Sequence, residues 1–332
     1  MNIDILKDEI FEIQDNNSPV FERIALDVFN FQASHVPIYA QYLNHLGIDP
    51  SKISQLTDIP FLPVELFKSQ RIIALGLQPE VVFMSSGTTG MVRSHHYVAS
   101  TDLYKRSFLK AFKRFYGEPS DYCMLALLPS YLERDGSSLV YMMDELIKQS
   151  EHPDSGFYLH NIDEMAKKLT ELDASGRKVL LIGVTFALLD LAEKHEFNLK
   201  NTIVMETGGM KGKRRELPRP ELHSILCQRM GVKSIHSEYG MTELLSQGYS
   251  IGGGVFSTPP WMKVLIRDTN DPFCYNASSQ SGGINVIDLA NLYSCSFLEL
   301  KDLGKLDAKG QFEVLGRFDN SDIRGCNLLM AE

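Results

Sequence analysis

Long apolar runs are missing from this sequence of 332 residues. A membrane-spanning helix needs about 18 apolar residues in succession. The nearest stretch, residues 179–191, is interrupted by Gly183, Thr185 and Asp190. Residues 1–17 mix acidic side chains and Lys with Ile and Leu, which is unlike the basic and then apolar pattern of a signal peptide. We therefore expect no membrane span and a cytoplasmic protein.

Paired cysteines and an excess of basic charge are also lacking. The 5 cysteines are Cys123, Cys227, Cys274, Cys295 and Cys326. Their odd number and the absence of a Cys-x-x-Cys pair fit neither a disulfide framework nor a zinc ribbon, so reduced thiols are expected. The net charge of −9 argues against general nucleic-acid binding, which needs a concentrated basic face. The negative net charge does not exclude ATP binding. Salt screens exposed charges beyond about 8 Å, so a pocket can have a positive local potential in a protein of negative net charge.

Several well-known catalytic signatures are absent or lack their structural context. A Gly-x-Ser-x-Gly string does occur at residues 248–252, but further glycines follow it where a nucleophile elbow needs a helix, which weakens the case for a hydrolase. The glycines of residues 252–254 lack the strand-then-helix context of a dinucleotide fingerprint. His95 and His96 are adjacent in a predicted strand, so their rings point to opposite faces and cannot share a metal ion. A structural role is expected for both histidines.

Apolar periodicity predicts an α/β fold. With 44% hydrophobic and 23% charged residues, the chain can form a sizeable core. Helical spacing covers residues 4–13, 20–31 and 37–46. Strand-length runs at residues 81–84, 124–128, 179–183 and 202–205 then alternate with helical patterns at 103–115, 139–148, 162–172, 186–194 and 220–230. This alternation predicts a parallel sheet with helices on both faces. After Glu243, short strands and glycines predict an antiparallel or barrel-like layer.

A loop of small residues follows the predicted strand 81–84. It consists of Ser85, Ser86, Gly87, Thr88, Thr89 and Gly90. Such a loop exposes hydroxyls and backbone N–H groups to a phosphate, with no Cβ in the way at its glycines. No Gly-Lys-Ser/Thr follows, so it is not a Walker loop. An ordinary Ser/Thr/Gly turn explains the string equally well when it is taken alone.

Two further segments carry groups suited to a nucleotide. Residues 238–243 follow a short predicted strand at 233–236 and end in Glu243, whose carboxylate can hold Mg²⁺ or can simply be a solvated surface acid. Near the end of the sequence, Asp302 can accept from both ribose hydroxyls, and Arg317 can reach ribose or phosphate. Asp302 is equally suited to a turn. The fixed order of the three motifs is more specific than any one of them.

The sequence resembles the adenylate-forming superfamily of acyl-CoA ligases, luciferases and peptide-synthetase adenylation domains. The superfamily's phosphate loop matches residues 85–90, with Arg93 where a lysine is usual, and its Tyr-Gly-x-Thr-Glu string matches residues 239–243. Its ribose-binding aspartate and Gly-Arg pair match Asp302 and Gly316-Arg317. The match begins near Asp58. It implies an α/β large N-terminal domain of helix-flanked sheets and a small distorted barrel.

Three strings most resemble the acyl-protein synthetase family of bacterial bioluminescence. They are Leu-Pro-Ser-Tyr-Leu-Glu-Arg at residues 128–134, Glu-Thr-Gly-Gly at 206–209 before a basic cluster, and Tyr-Gly-Met-Thr-Glu-Leu-Leu-Ser-Gln at 239–247. This resemblance implies ATP-dependent activation of a carboxylic acid, in particular a fatty acid, as acyl-AMP, followed by transfer to a protein cysteine thiol. It also implies an acyl-accepting partner such as an acyl reductase. The implied organisation is a single domain over residues 1–332, with a helical extension at 1–58 and a short tail at 317–332.

The resemblance implies a role for each matched residue. By this resemblance, pyrophosphate is bound by Ser85, Ser86, Thr88 and Thr89, and the same loop also contains Gly87, Gly90 and Arg93. Glu243 is the implied Mg²⁺ ligand, and Thr242 is the implied contact of the AMP phosphate. Adenine lies against Gly208 and Gly209, the nucleotide loop includes Tyr239 and Gly240, and ribose contacts Asp302 and Arg317. The acyl-carrying thiol is Cys326.

The sequence departs from the wider superfamily after Gly316-Arg317, where a small domain normally supplies a catalytic lysine. We expect most or all of that domain to be lacking, as in the acyl-protein synthetases. The lysine's substitutes could be Lys211, Lys213, Arg214 and Arg215, although a basic cluster is more often a solvated face. Two alternative functions remain open. One is a phenylacetate-type acyl- or aryl-CoA ligase, and the other is a non-catalytic acyl- or nucleotide-binding subunit.

Overall fold

The computed structural model describes residues 2–85, 92–129, 136–158, 161–209, 214–215, 217–276 and 279–318. The chain divides into two compact units. The first unit comprises Met1–Gln78 and Pro260–Glu332, and the second unit is Pro79–Pro259.

A mostly parallel sheet forms the centre of the second unit. Its strands are β4 (Cys123–Leu127), β5 (Gly156–Phe157), β6 (Val179–Val184), β7 (Thr202–Thr207), β8 (His236–Tyr239) and β9 (Gly248–Ser250). They run in the order β5-β4-β6-β7-β8-β9, and only β9 is antiparallel to its neighbour. Every residue of β4 and β6 is buried, as expected for apolar central strands that are covered on both faces.

Helices connect these strands. They are α4 (Thr101–Tyr116), α5 (Ser138–Ser150), α6 (Ile162–Ala174), α7 (Thr185–Lys194) and α8 (Arg219–Met230). Side-chain caps begin two of them: the Ser137 hydroxyl accepts from the N–H of Val140, and Asn161 accepts from that of Glu164. The second unit also contains the antiparallel hairpin of β2 (Val81–Met84) and β3 (His95–Val98), and a short strand β10 (Val255–Phe256).

The first unit combines three helices with antiparallel strands. The helices are α1 (Ile3–Glu12), α2 (Pro19–His35) and α3 (Pro37–His45), and the strands are β1 (Leu62–Pro63), β11 (Met262–Arg267), β12 (Ser281–Asp288), β13 (Phe297–Leu306) and β14 (Phe312–Arg317). Strands β11 to β14 pair in sequence order, and β1 lies parallel to β13. The Gln32 side chain of α2 donates to the carbonyls of Asn291 and Leu292, which fixes this helix beside the 3-10 turn at Leu289–Asn291 that precedes β13.

The predicted α/β fold is confirmed, and so is the antiparallel character of the strands after Glu243. The strand predicted at residues 233–236 was placed too early, because β8 begins only at His236. Its first register partner is Met205 of β7, so pairing with the end of β7 sets the boundary, rather than the local apolar pattern. Within the described residues, no helix is long and apolar enough to cross a membrane. The four cysteines found there are free thiols.

Candidate functional site

Three neighbouring parallel strands of the second unit end side by side. Thr185 follows β6, Gly208 and Gly209 follow β7, and Gly240 follows Tyr239 at the end of β8. Both glycines after β7 are exposed, and Gly208 has a φ of 65°, in the region that favours glycine. Ligands of open α/β sheets bind outside the carboxyl ends of the strands, so this edge is the candidate site in the second unit.

A buried hydrogen bond joins the last paired residues of β7 and β8. Thr207 and Glu238 are register partners, and the Thr207 hydroxyl donates to Oε2 of Glu238 at 2.5 Å. Burial raises the pKa of the Glu238 carboxyl to about 7; the Thr207 hydrogen bond opposes this rise, and the charge of Glu206 adds to it. Glu238 therefore changes its charge state near neutral pH.

Gly240 leaves room for the same carboxylate. A Cβ at residue 240 would lie 2.5 Å from Oε1 of Glu238, which is closer than a Cβ contact allows. Gly240 is not among the glycines with a positive φ, so a side chain here would be opposed by the position of the Glu238 carboxyl group rather than by the backbone conformation. The side chain of Glu238 thus contacts β7 through one oxygen and the turn after β8 through the other.

A second buried acid lies on the opposite face of the sheet. Glu206 is 4% exposed, and its Oε1 lies 3.6 Å from Nε of Arg219 and 3.6 Å from Nε2 of His223. The Thr185 hydroxyl is 2.9 Å from the carbonyl oxygen of Gly208 and 3.3 Å from Oε2 of Glu206. These contacts fix the backbone at the start of the loop after β7.

The loop after β8 is bonded to the hairpin. Nδ1 of His96 lies 2.8 Å from the carbonyl oxygen of Thr242. The next residue, Glu243, is 4% exposed, although sequence reasoning allowed for a solvated surface acid. The two histidines of β3 alternate in burial, with His96 buried and His95 half-buried, as their predicted opposite orientation requires. The chemical role of Glu243 stays a prediction.

Of the phosphate-loop motif, the structure describes the first residue, Ser85. It also describes the strand that follows the motif. The Ser85 hydroxyl accepts from the N–H of Ser94 at 2.9 Å, and the Ser85 N–H donates to the carbonyl of Ser94 at 3.1 Å. Arg93 is half-buried beside them. The other five predicted phosphate-binding residues, Ser86, Gly87, Thr88, Thr89 and Gly90, lie outside the described residues, as does Cys326.

In the first unit, the predicted ribose-binding pair is brought together. Asp302 of β13 is the register partner of Arg317 of β14, and Nε of Arg317 lies 3.1 Å from Oδ1 of Asp302. The Asp302 side chain is only 9% exposed, whereas that of Arg317 is 71% exposed. Asp302 is therefore a strand residue rather than a turn residue. A bulge follows at once, between Leu303 and Gly304.

Neither a family model nor a curated protein matches this sequence. Solved structures match it through their fold. An open conformation of 2-hydroxyisobutyryl-CoA ligase, in complex with 2-HIB-AMP and CoA, aligns with a TM-score of 0.65 and 14% identity over 93% of this chain and 72% of the ligase. ATP-bound MatB from Rhodopseudomonas palustris aligns with a TM-score of 0.53 and 19% identity over 71% of this chain.

These structures are adenylate-forming ligases. This chain has the fold of the large domain of adenylate-forming enzymes. The alignment spans 47% of MatB, about half of its length. Sequence identities of 14% and 19% show a shared fold but do not show a shared activity.

Sequence reasoning on this adenylate-forming fold missed the two buried acids and Thr185. Glu206 appeared only as part of a matched string, and Glu238 only as the first residue of another. The sequence signal that could have indicated these two acids is a glutamate near the end of a short strand, just before a loop that contains glycine. Of the basic cluster, Arg214 bonds to Asp190 and Glu193, which agrees with the solvated-face alternative for that residue.

The donor set suits a magnesium ion that arrives with a nucleotide. Mg²⁺ usually takes one or two carboxylates together with substrate phosphates and keeps several waters, so one carboxylate such as that of Glu243 suffices. A metal site formed only by protein side chains needs more ligands than one carboxylate. In the part of the chain that the structure describes, no group of three or more His, Cys, Asp and Glu side chains could hold a metal ion.

Proposed function

We propose that this protein activates a carboxylic acid with ATP and passes the acyl group to a thiol. In the first step a carboxylate oxygen bonds to the α-phosphorus of ATP, the bond from that phosphorus to the bridging oxygen breaks, and pyrophosphate leaves. In the second step a thiolate bonds to the acyl carbon, the carbon–oxygen bond to AMP breaks, and AMP leaves. The thiol proton passes to solvent.

One observation carries this proposal: the loops assigned to the nucleotide follow adjacent strands. Gly208 and Gly209 follow β7, and Tyr239 and Gly240 lie at the end of β8, in a fold that solved structures show with ATP or an acyl adenylate bound. An adenine between two such loops needs backbone close to its faces, which glycines permit. The buried bond between Thr207 and Glu238 keeps the two strand ends adjacent.

Most of the catalytic work we assign to positioning and charge stabilisation. Mg²⁺ bound to Glu243 would neutralise phosphate oxygens when the nucleotide is present, and Thr242 would contact the α-phosphate. The phosphate loop at residues 85–90 would hold the leaving pyrophosphate. Asp302 and Arg317 would bind the ribose. These roles rest on the matched motifs and on the burial of Glu243 and Asp302.

For the acceptor we propose Cys326, which would then hand the acyl group to a partner protein such as an acyl reductase. The acid would be a fatty acid, as in the acyl-protein synthetases that the sequence resembles. One finding favours a second candidate, a CoA ligase, because two of the 2-hydroxyisobutyryl-CoA ligase structures that align with a TM-score of 0.65 contain CoA. The two candidates share the adenylation step and differ only in the thiol.

Pyrophosphate exchange into ATP tests the first step. The protein is incubated with Mg²⁺, ATP, labelled pyrophosphate and a panel of carboxylic acids from acetate to palmitate, with aromatic acids included. We expect exchange that depends on both the acid and Mg²⁺. Exchange with none of the acids would leave a non-catalytic binding protein. For an active acid, adding CoA separates the two acceptors, since only a CoA ligase turns over to acyl-CoA.

A further inference from the structure

We propose that Glu238 is a positioning residue that fixes the separation of the two adenine-contacting loops, Gly208-Gly209 and Tyr239-Gly240. This inference rests on the proposed function, because it takes these loops to be the walls of the adenine site. It adds a residue that the matched motifs leave without a role. Glu238 acts through its neighbours and need not touch the nucleotide.

The geometry places Glu238 at the point where the two strands part. The paired residues of β7 and β8 run from Met205 with His236 to Thr207 with Glu238. The next residue after Thr207 is Gly208, and the next after Glu238 is Tyr239, so the last register pair directly precedes both loops. A side-chain bond at this pair sets where each loop begins.

The bond is shielded from water. Thr207 is 3% and Glu238 8% exposed, and the donor and acceptor oxygens are 2.5 Å apart. At such low exposure a hydrogen bond is electrostatically stronger than in water, and breaking it would leave buried polar atoms without that partner. The pair therefore resists separation more than an exposed contact would.

The second carboxylate oxygen controls the turn on the other side. Oε1 of Glu238 occupies the space where a side chain at Gly240 would begin, with only 2.5 Å between that oxygen and an ideal Cβ. The next nearest atom to that Cβ, Cγ of Gln247 at 3.4 Å, is within ordinary range. A side chain at residue 240 would have to displace the Glu238 carboxyl group, so we expect substitutions at the two residues to be coupled in their effect on the loop.

Variants at Thr207 test the bond without removing the carboxylate. In Thr207→Val the hydroxyl is replaced by a methyl group of similar size, and in Thr207→Ser the hydroxyl is kept. With MgATP as the probe in calorimetry, we expect the Kd of Thr207→Val to rise about tenfold, which is about 1.4 kcal/mol. Thr207→Ser should restore the affinity to within about twofold. Rescue by serine is not expected if the threonine only fills space.

Variants at Gly240 test the other oxygen. Gly240→Ala places a methyl group against Glu238 and should weaken MgATP binding about tenfold. In the background of Glu238→Ala the methyl group has room, so the same substitution should then cost less than about threefold. Additive effects in this double-mutant cycle would overturn the coupling. The cycle compares variants with one another, so a general loss of stability does not imitate its result.

A matched control lies at the other end of β7. Asp173 is also buried, at 6% exposure, and accepts from the Thr202 hydroxyl at 2.7 Å. Thr202→Val removes the same kind of bond from the strand's first residue and should lower the melting temperature while leaving the Kd of MgATP within twofold.

The outcomes separate the two proposals. If the parent protein does not bind MgATP, the proposed function fails and this inference fails with it. If the parent binds MgATP and Thr207→Val binds it equally well, the proposed function stands, and the positioning role of Glu238 is wrong. If Thr202→Val weakens binding as much as Thr207→Val does, the effect is one of general stability, which also overturns the positioning role.

Discussion

The imidazole of His96 donates from Nδ1 to the backbone carbonyl of Thr242 across 2.8 Å. A carbonyl oxygen can only accept, so Nδ1 carries the proton and the tautomer of the ring is fixed. His96 is fully buried in β3, the strand that returns from the phosphate-loop motif. Thr242 directly precedes Glu243. This bond therefore links the hairpin that carries one proposed phosphate contact to the loop that carries the proposed metal ligand.

Replacing His96 by phenylalanine should uncouple the hairpin from that loop. The ring volume is largely kept, but the carbonyl of Thr242 loses its donor inside the protein, at a cost of about 1–3 kcal/mol in the free energy of unfolding. We also expect the Kd for MgATP to rise about tenfold, measured by calorimetry. His95→Phe is the control, because its ring lies on the other face of the same strand. Equal effects from both variants would contradict a specific role for His96.

Glu243→Gln should abolish Mg²⁺-dependent pyrophosphate exchange and leave the fold intact. The amide keeps the shape of the buried side chain but removes the charge that a magnesium ion needs. Exchange is measured over a Mg²⁺ titration, and circular dichroism checks that the variant is folded. A variant that exchanges pyrophosphate at the parental rate shows that Glu243 is not the metal ligand.

Asp302→Ala should weaken ATP binding by about 1.5–3 kcal/mol, the usual contribution of hydrogen bonds to a charged group. Calorimetry with ATP measures this loss. The matched control is Glu313→Gln, because Glu313 and Lys305 form a cross-strand ion pair on the same two strands, with 3.0 Å between the charged atoms. If both variants bind ATP as the parent does, the pair of Asp302 and Arg317 has only a structural role.

The sequence allowed the central strands of the second unit to be located because their burial leaves a simple signal. Residues 179–183 and 202–205 were predicted as strands, and the structure has β6 at Val179–Val184 and β7 at Thr202–Thr207. Central parallel strands are covered on both faces, so their residues are apolar throughout. The short strand β8 carries His236, Ser237 and Glu238, which give no such run, and its start was misplaced.

The interactions within the candidate site could not be predicted in the same way. Its motifs are local strings, so residues 239–243 could be recognised from the sequence alone. The bond from Thr207 to Glu238 depends on the register of two strands that are separated by a whole helix. An acid at a strand end is commonly solvated, and only the packing around Glu238 shows that it is buried.

The stability of Glu238→Gln relative to the parent should increase with pH. The pKa of Glu238 is about 7 in the folded protein, against an ordinary value of 4.5, chiefly because of burial. The protonated form thus stabilises the fold fully below pH 4.5, and this contribution is lost as the pH rises through 7. Glutamine stays neutral, so the difference in free energy of unfolding should shift in favour of the variant by about 2–3 kcal/mol between pH 5 and pH 8.

Urea denaturation at several pH values measures this shift. The groups around Glu238 are the buried acid Glu206 and the phenols of Tyr116 and Tyr249, whose pKa values burial raises further above their ordinary value, so the phenols stay neutral throughout the range. His236, whose pKa burial lowers, lies on the same face of β8. Running His236→Gln alongside identifies any share of the shift that belongs to the histidine. A pH-independent difference would show that Glu238 does not titrate in this range.

Cys326 should become acylated during turnover if the acceptor is a thiol of this protein. It lies in the sequence Arg-Gly-Cys-Asn at residues 324–327, and Arg324 would favour its thiolate if the two side chains approach each other. Incubation with ATP, Mg²⁺ and labelled fatty acid should leave label on the chain, and neutral hydroxylamine should remove it because thioesters are cleaved under these conditions. Cys326→Ser should carry no hydroxylamine-sensitive label.

Cys274→Ser provides the matched control for that experiment. Cys274 is an exposed thiol, and its hydrogen bond to Asp271 raises its pKa, so less of it is present as the nucleophilic thiolate. Its replacement should leave the labelling unchanged, whereas loss of label from this variant would move the acyl site away from Cys326. Active pyrophosphate exchange with no label on the parent chain would exclude an acyl-cysteine. In that case acyl-AMP would form, but no cysteine of the chain would receive the acyl group. The diffusible thiol CoA would then be the acceptor to test.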